Sequence, residues 1–374
     1  MRSRRAGVYA LLLLSLLPSL LTAPLRAQAP AQPAPATTVD RGVINGAPYY
    51  IEIPAQWNKG LVMYAHGYAV ASDKPRSQEY MPPKTLRDVF LSRGFAFAAS
   101  DYSVQGWAVK EGIDDTEALR RYFVSKYGAP SETYITGHSM GGHITMAIIE
   151  RYPEVYQGAM PMCGPLGAAV DFLNTGVFDM LVTFEALFPG TIGSPYEPSA
   201  ETAGKVKAAL AGNPELAARY ATRFGRTVAQ IPGALGLFHA LIGELKQRAG
   251  GEPFDNRNRI YMGFGDDVAL NRTVKRYTAS ASAREYVRQY ATPTGRITDP
   301  MLTIHTTSDS LVLGNDVTAY ETPAAVAGTS DRFVARFIEA NGHCNFTPAQ
   351  VGTTFDALLG WARDGKRPAA GEQK

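Results

Sequence analysis

The chain has 374 residues, of which 45% are hydrophobic, 10% aromatic and 19% charged, and its net charge is +3. This length and composition fit one large globular domain or two ordinary ones, and they exclude a short peptide module, wholesale disorder and a polytopic membrane protein. The chain contains two cysteines, which excludes a disulfide-dense scaffold and a zinc site with four thiolates.

The N-terminus has the three parts of a secretory signal peptide. A basic start at residues 2–5 precedes a Leu-rich apolar run at 8–22, and small residues follow up to Ala27. The apolar run is short for a membrane span, which needs about 20 residues. We therefore expect a signal peptide over residues 1–27, export to the periplasm or the outside, and no stable membrane insertion after cleavage. Retention as an N-terminal anchor is the alternative.

Removal of the signal peptide changes the charge balance of the chain. It takes away four arginines and no acidic residue, which turns the net charge of +3 into −1. The four are Arg2, Arg4, Arg5 and Arg26. Without a basic excess, a nucleic-acid partner loses its main electrostatic attraction. The Pro- and Ala-rich residues 28–38 are expected to form a linker without core-forming content.

Short β-rich runs alternate with helical segments over residues 43–163. The dipeptide Asn45-Gly46 predicts a hairpin between the first two strands. Strands are then predicted at 61–65, 95–99, 133–136 and 158–162, and helices at 85–92, 114–127 and 141–151. Asp114 or Asp115 is expected to cap the second of these helices. The alternation predicts a largely parallel sheet with helices on both faces.

The alternation stops at residues 164–299, where we predict helices and no strand. Helices are predicted at 178–188, from Pro214 to about Gly225 with Asn213 as cap, at 235–248 and at 280–290. The β/α pattern returns with strands at 301–305 and 333–338 and a helix at 349–362. The sequence thus predicts an α/β domain, residues 39–163 and 300–366, interrupted by a helical cap insertion at 164–299. The tail after Arg367 is expected to be loose.

Residues 137–141, Gly-His-Ser-Met-Gly, match the pattern G-x-S-x-G. A β-rich run precedes the motif and a helical run follows it, which is the strand–turn–helix setting of a nucleophile elbow. The serine of such an elbow has strained backbone angles, and a Cβ at Gly137 or Gly141 would collide with neighbouring backbone. Ser139 would then be exposed at the start of a helix, whose dipole favours developing negative charge. The alternative is an ordinary turn serine.

With this motif in this pattern, the chain resembles the α/β-hydrolase superfamily over nearly all of its length outside residues 1–38. The resemblance implies a catalytic triad in the order Ser, acid, His. Of the six histidines, His343 alone follows every plausible acid and lies in a loop after a strand, so we predict it as the base. Asp309, after the strand at 301–305, is the predicted acid that orients the imidazole. Asp316 is the alternative acid.

The sequence His66-Gly67-Tyr68, after the strand at 61–65, is similar to the first oxyanion loop of this superfamily. The resemblance implies that the backbone N–H groups of Tyr68 and Met140 bind the oxyanion. The Tyr68 ring is expected to line the acyl pocket, and an ordinary turn at a strand end is the alternative. We find no ligand cluster for a metal or cofactor, and the implied chemistry requires neither.

In this fold Cys163 and Cys344 would both lie at the carboxyl edge of the sheet. We therefore hypothesise a disulfide that tethers the histidine loop, with two buried free thiols as the alternative. The neighbouring His343 and Cys344 also resemble a feature of secreted tannase and feruloyl-esterase-like hydrolases, in which a disulfide braces the triad. The residue before Ser139 departs from that pattern, since it is His138 rather than Cys.

These residues predict an exported serine hydrolase that cleaves small-molecule carboxylic esters through an acyl-enzyme on Ser139. The second hypothesis is an aminopeptidase or amidase of the capped type, which needs acidic cap residues to hold a substrate amine. The candidates are Glu185, Glu197 and Glu201. A hydrolase-fold binding protein is the third, and it is disfavoured because all three triad positions are filled.

Two patterns within the helical insertion have two interpretations each. The apolar stripe at residues 178–188 either packs as helix core or lines an acyl pocket, and we favour the core. A basic cluster is either a solvated helix face or a surface that attracts an anionic substrate. It comprises Arg272, Lys275, Arg276, Arg284 and Arg288.

Overall fold

A computed structural model describes residues 36–71 and 79–373 of the chain. The predicted signal peptide and most of the predicted linker lie outside the described residues. The described residues contain nine strands, numbered in chain order: β1 Thr38–Ile44, β2 Ala47–Ile53, β3 Gly60–Ala65, β4 Ala96–Ser100, β5 Glu132–His138, β6 Gly158–Met162, β7 Met301–Ser308, β8 Phe333–Asn341 and β9 Gly371–Gln373.

These strands form one sheet in the order β1-β2-β4-β3-β5-β6-β7-β8-β9. β2 pairs antiparallel with β1 and β4, and each later pair across the sheet, from β4–β3 to β8–β9, is parallel. The β1–β2 hairpin turns at Asn45 and Gly46, both with positive φ, as the dipeptide predicts. The mostly parallel sheet confirms the predicted α/β-hydrolase fold class.

Twelve α-helices occur in the described residues: α1 Lys84–Leu91, α2 Val109–Tyr127, α3 Met140–Arg151, α4 Asp179–Leu187, α5 Thr202–Gly212, α6 Pro214–Arg223, α7 Ile231–Ala249, α8 Asp267–Thr273, α9 Ala281–Ala291, α10 Gly314–Thr318, α11 Glu321–Ala327 and α12 Pro348–Asp364. A π-helix, Ala168–Phe178, precedes α4, and a short 3-10 turn, Val228–Gln230, precedes α7.

Each face of the sheet has its own apolar core, because successive side chains on a strand point to opposite faces. In β5, Ile135 packs in the core that α2 and α3 cover, whereas Tyr134 packs in the core that α1 and α12 cover. Both side chains are buried. Burial on both faces explains why the central strands are continuous apolar runs in the sequence.

Helix α2 begins at Val109, earlier than predicted, so the prediction that Asp114 or Asp115 caps it is wrong. Val109 and Ile113 are buried in the core, and this packing extends the helix toward its N-terminus. Asp115 lies inside the helix, where its carboxylate accepts the N–H of Ser103 at 2.6 Å.

The prediction of a loose tail after Arg367 is also wrong for the described residues. The strand β9 pairs in parallel with β8, and Arg336 of β8 donates from Nε to the carbonyl of Ala369 at 3.0 Å. Three residues are too short a run to be recognised as a strand without their partner.

Residues 164–299, all of them described, contain helices and no strand, as predicted. Helices α5 and α8 were missed. The segment Val228–Ala249, which includes α7, is long and apolar enough to span a membrane by length and composition. Many of its side chains are buried against other helices of this domain, which is the environment of a core helix in a globular fold.

The start of α6 provides a test of the capping prediction. The side chain of Asn213 accepts the N–H of Leu216 at 3.2 Å, and Pro214 occupies the first turn. Replacement of Asn213 by Ala should lower the free energy of unfolding by about 1 kcal/mol, because one helical N–H loses its acceptor. Asn213→Asp keeps an acceptor and serves as the control. Urea denaturation measures both, and an alanine variant as stable as the wild type would contradict the cap.

Candidate active site

Ser139 lies in a tight turn between β5 and α3, with φ 57° and ψ −123°. Such a positive φ is costly for a residue with a side chain. The turn is possible because the residues two positions before and after Ser139 are glycines: a Cβ on Gly137 would lie 2.4 Å from the carbonyl oxygen of Gly141, and a Cβ on Gly141 would lie 2.1 Å from that of Ala65. The two glycines therefore have the steric role that the motif predicts.

The structure brings the three predicted triad residues into one hydrogen-bonded chain. Nε2 of His343 lies 2.8 Å from Oγ of Ser139, and Nδ1 lies 2.6 Å from Oδ2 of Asp309. Asp309 follows β7 and His343 follows β8, and the carboxyl ends of parallel strands meet at one edge of the sheet. The catalytic roles of these residues stay predictions.

Backbone donors fix the Asp309 carboxylate. Its Oδ1 accepts the N–H groups of Leu311 at 2.9 Å and Val312 at 3.1 Å. Burial by itself raises the pKa of this carboxyl, but the hydrogen bond and charge of His343 and the N–H of Leu311 outweigh burial and hold the pKa below its ordinary value. Asp309 is therefore ionised at neutral pH and can orient the imidazole.

Asp316, the alternative acid, has a different environment at the start of α10. Its Oδ2 accepts the N–H of Leu313 at 2.8 Å. Burial raises the pKa of Asp316 to about 7. Of the two candidates, the structure brings Asp309 into hydrogen-bond contact with His343.

His305 in β7 contacts the loop that carries Asp309. The sequence reasoning missed this contact. The ring is fully buried, with Nε2 3.0 Å from the carbonyl oxygen of Val312 and 3.8 Å from Oδ2 of Asp309. Burial lowers the pKa of His305, so the ring is neutral at pH 7 and can donate from Nε2 to Val312. A histidine inside a predicted buried strand indicates that its ring has a polar partner nearby. The sequence does not identify the partner, because it lies in a loop whose shape the sequence does not define.

The residues predicted as oxyanion donors are Met140, directly after Ser139, and Tyr68, directly after Gly67. Met140 is the first residue of α3, and the N–H of a first helical residue has no acceptor within its own helix. On the other side, a Cβ on Gly67 would lie 3.3 Å from Cβ of Ser139, so the loop that continues into Tyr68 packs on the nucleophile. The hydroxyl of Tyr68 donates to Oε1 of Glu244 in α7 at 2.6 Å. The role of both backbone N–H groups stays a prediction.

The hypothesised disulfide is present between Cys163 and Cys344, with Cα atoms 5.3 Å apart, and the alternative of two free thiols is wrong. Cys163 directly follows β6 and Cys344 directly follows His343, so the bond attaches the histidine loop to the end of a buried strand. Within the described part of the chain, Cys163, His343 and Cys344 are the one grouping with metal-ligand spacing, and the disulfide engages both of its sulfur atoms.

The acidic residues considered for an amine site make their contacts within the helical insertion. Glu185 accepts backbone N–H groups from Gly190, Ile192 and Gly193. Glu201 pairs with Lys205 at 3.0 Å, and Glu197 is exposed. An acid of the insertion that does contact Tyr68, in the predicted oxyanion loop, is Glu244. The sequence reasoning missed it because its partners are far away in the chain.

The apolar stripe and the basic cluster also occupy defined places. Phe178, Met180, Leu181 and Phe184 are fully buried, which favours the core interpretation. Arg276 binds backbone carbonyls within the insertion. Arg284 and Arg288 are exposed beside a cavity of about 530 Å³ between the π-helix and α9, and Arg288 pairs with Glu285.

The disulfide has a measurable effect on stability. The double variant Cys163→Ala/Cys344→Ala should lose about 2–5 kcal/mol of unfolding free energy, because the unfolded chain gains the freedom that the bond removes. Guanidinium unfolding without reductant measures this loss. Reductant should lower the unfolding free energy of the wild type toward that of the variant and leave the value of the variant unchanged. A wild type whose unfolding free energy does not change when the unfolded chain is exposed to reductant would contradict a disulfide.

A family model described as a tannase-like family of unknown function (DUF6351) matches residues 30–228. A search of curated proteins found no match. Among solved structures, Est1E from Butyrivibrio proteoclasticus is 13% identical with a TM-score of 0.42, covering 86% of this chain and 97% of that one. An esterase of Pyrococcus furiosus is 13% identical with a TM-score of 0.47, covering 86% and 90%.

An acylaminoacyl peptidase of Pyrococcus horikoshii is 11% identical with a TM-score of 0.46, covering 87% of this chain and 41% of that one. At this level of identity, such similarities concern the fold alone. The family match is of a different kind, since it covers more than half of the 374 residues. This protein belongs to the tannase-like family of unknown function DUF6351.

Proposed function

We propose that this protein is an exported serine hydrolase that cleaves carboxylic esters of small molecules through an acyl-enzyme on Ser139. The observation that carries the proposal is the position of the His343 ring, with Nε2 2.8 Å from Oγ of Ser139 and Nδ1 2.6 Å from Oδ2 of Asp309. A nucleophile, its base and the group that orients the base need these distances.

In the proposed reaction, Ser139 Oγ attacks the ester carbonyl and its proton passes to Nε2 of His343. The Asp309 carboxylate stabilises the resulting imidazolium, and the N–H groups of Tyr68 and Met140 bind the oxyanion. His343 then gives the proton to the leaving alcohol. A water molecule, deprotonated by His343, then attacks the acyl carbon. The bond to Ser139 Oγ breaks, His343 returns the proton to Oγ, and the carboxylic acid leaves.

Three further features support this proposal. The family to which the chain belongs is described as tannase-like, which suits an ester substrate. The disulfide is typical of proteins in an oxidising compartment outside the cytoplasm. It therefore fits export of the chain with cleavage of the N-terminal segment. The all-helical residues 164–299 suit a cap over the site, with residues 39–163 and 300–366 as the catalytic domain.

The first test is the hydrolysis of p-nitrophenyl acetate, butyrate and palmitate by the mature protein and by Ser139→Ala. Loss of the nucleophile should lower kcat by at least about 10³-fold. Ser131→Ala replaces an exposed serine directly before β5; this variant is the matched control and should retain activity.

Equal activity of the wild type and Ser139→Ala would overturn the assignment of the nucleophile. Aminoacyl p-nitroanilides, assayed alongside, distinguish the amidase hypothesis. A wild type that cleaves anilides faster than every ester would replace the proposed substrate class.

Replacement of the two candidate acids, Asp309 and Asp316, should affect kcat very differently. Asp309→Asn should lower kcat by about 10⁴-fold, because an amide holds the wrong imidazole tautomer. Asp316→Asn should keep activity near the wild-type level, because an amide oxygen can still accept the N–H of Leu313. Steady-state kinetics on the best p-nitrophenyl ester measure both variants. The reverse ranking would assign the acid to Asp316.

A further inference from the structure

The loop that carries Tyr68 is held in place at several points. Its start is fixed by the hydroxyl of Tyr102, which donates to the carbonyl of His66 at 3.0 Å, and the two rings stack with centroids 4.0 Å apart. Its end pairs with a neighbouring segment, where the N–H of Gly106 donates to the carbonyl of Ala69 at 2.8 Å.

The far end of the Tyr68 side chain is held by a residue of the helical insertion. The hydroxyl donates to Oε1 of Glu244 at 2.6 Å, and Oε2 of the same carboxylate accepts the backbone N–H of Trp107 at 2.9 Å. Burial raises the pKa of Tyr68, and the Glu244 carboxylate raises it further, so the hydroxyl remains a donor at every physiological pH.

The carboxylate of Glu244 lies directly against the backbone at Gly106, which has a positive φ. A Cβ on Gly106 would lie 2.4 Å from Oε2 of Glu244. One turn further along α7, Arg248 pairs with Glu111 at 3.1 Å and donates to the carbonyl of Gln105. Glu244 and Arg248 of α7 therefore bind the segment at residues 105–107, and Glu244 also binds the Tyr68 loop that pairs with this segment.

We propose that Glu244 is a positioning residue for the oxyanion hole, which acts by holding the Tyr68 hydroxyl and thereby the direction of the Tyr68 backbone N–H. This inference rests on the proposed function, because that function assigns the N–H to the oxyanion. The physical reason is the close packing of Gly67 on Ser139. Because Tyr68 directly follows Gly67, a small rotation of the loop changes the distance from the Tyr68 N–H to the oxyanion. Donors in such a hole act only at the correct distance.

The helical insertion then has a catalytic consequence beyond covering the site. A donor that is displaced rather than removed should cost less than the full loss of a donor, which is about 10²–10³-fold in kcat. Because the oxyanion forms after substrate binding, the effect should fall on kcat and leave KM nearly unchanged.

The test compares Glu244→Ala, Tyr68→Phe and the double variant. Ala removes both acceptors of the Glu244 carboxylate, and Phe keeps the ring and the backbone N–H while removing the hydroxyl. Glu215→Ala, which replaces an exposed glutamate of α6 in the same insertion, is the matched control. Each protein is assayed with p-nitrophenyl acetate, with phenylboronic acid as a mimic of the tetrahedral intermediate, and with a fluorophosphonate probe that labels an activated serine.

Both single variants should lower kcat by about 10- to 100-fold, less than the loss of a whole donor. KM should stay within about twofold, and the inhibition constant of phenylboronic acid should rise by a factor similar to the loss in kcat. The double variant should be no worse than the poorer single variant, because both changes break the same contact. Active-site titration with the probe corrects each kcat for the fraction of folded enzyme.

Two results would overturn the inference. One is wild-type kcat in Glu244→Ala. The other is a loss of active sites with unchanged boronate affinity in the remaining enzyme, which would assign Glu244 to folding alone. A wild type that the probe labels but that cleaves no ester would refute the proposed substrate class, and labelling rates of the variants would still decide the role of Glu244. A wild type that is neither labelled nor active would refute both.

Discussion

The close contact between the Ala65 carbonyl and Gly141 is the constraint on which the rest of the site depends. It holds the start of α3 against the end of β3 and leaves Ser139 with a positive φ at the top of β5. Since β3, β5, β6, β7 and β8 are parallel neighbours, their carboxyl ends share one edge of the sheet. That edge collects the loop at residues 66–68 together with Ser139, Cys163, Asp309 and His343. Hydrogen bonds join Ser139, His343 and Asp309, and the disulfide joins Cys163 to the residue after His343.

The histidine loop follows β8, which pairs with β7 on one side and with the short strand β9 on the other. Two contacts hold this loop: the hydrogen bond from His343 to the Asp309 carboxylate and the disulfide from Cys344 to the end of β6. A catalytic group held in this way loses little conformational freedom when it reacts. The position of the disulfide also accounts for the departure at His138, since the partner of Cys344 follows the neighbouring strand instead of preceding Ser139.

The helical insertion contacts both loops that flank the triad. Glu244 binds Tyr68 and Trp107, while Arg226 donates from Nε to the carbonyl of Ser310 at 2.7 Å, directly after Asp309 in the chain. Burial lowers the pKa of Arg226, and its guanidinium is largely enclosed. A rigid displacement of the insertion would leave buried polar groups of both anchors without partners, which is costly. In the described conformation the insertion is therefore fixed to the loops that carry Tyr68 and Asp309.

The sequence alone determined the features that neighbouring residues define: the turn at Asn45-Gly46, the elbow at residues 137–141, the cap at Asn213, and the alternation of strands and helices. Turn geometry, capping and side-chain periodicity depend on a few adjacent residues, so they are visible without a fold. Chain order and position after strands also indicated the triad residues and both cysteines. The start of α2 at Val109, the short strand β9 and the contacts of Glu244 were decided only by tertiary structure. The reason is physical, because each depends on partners distant in the chain, 176 residues away for the Tyr68–Glu244 hydrogen bond.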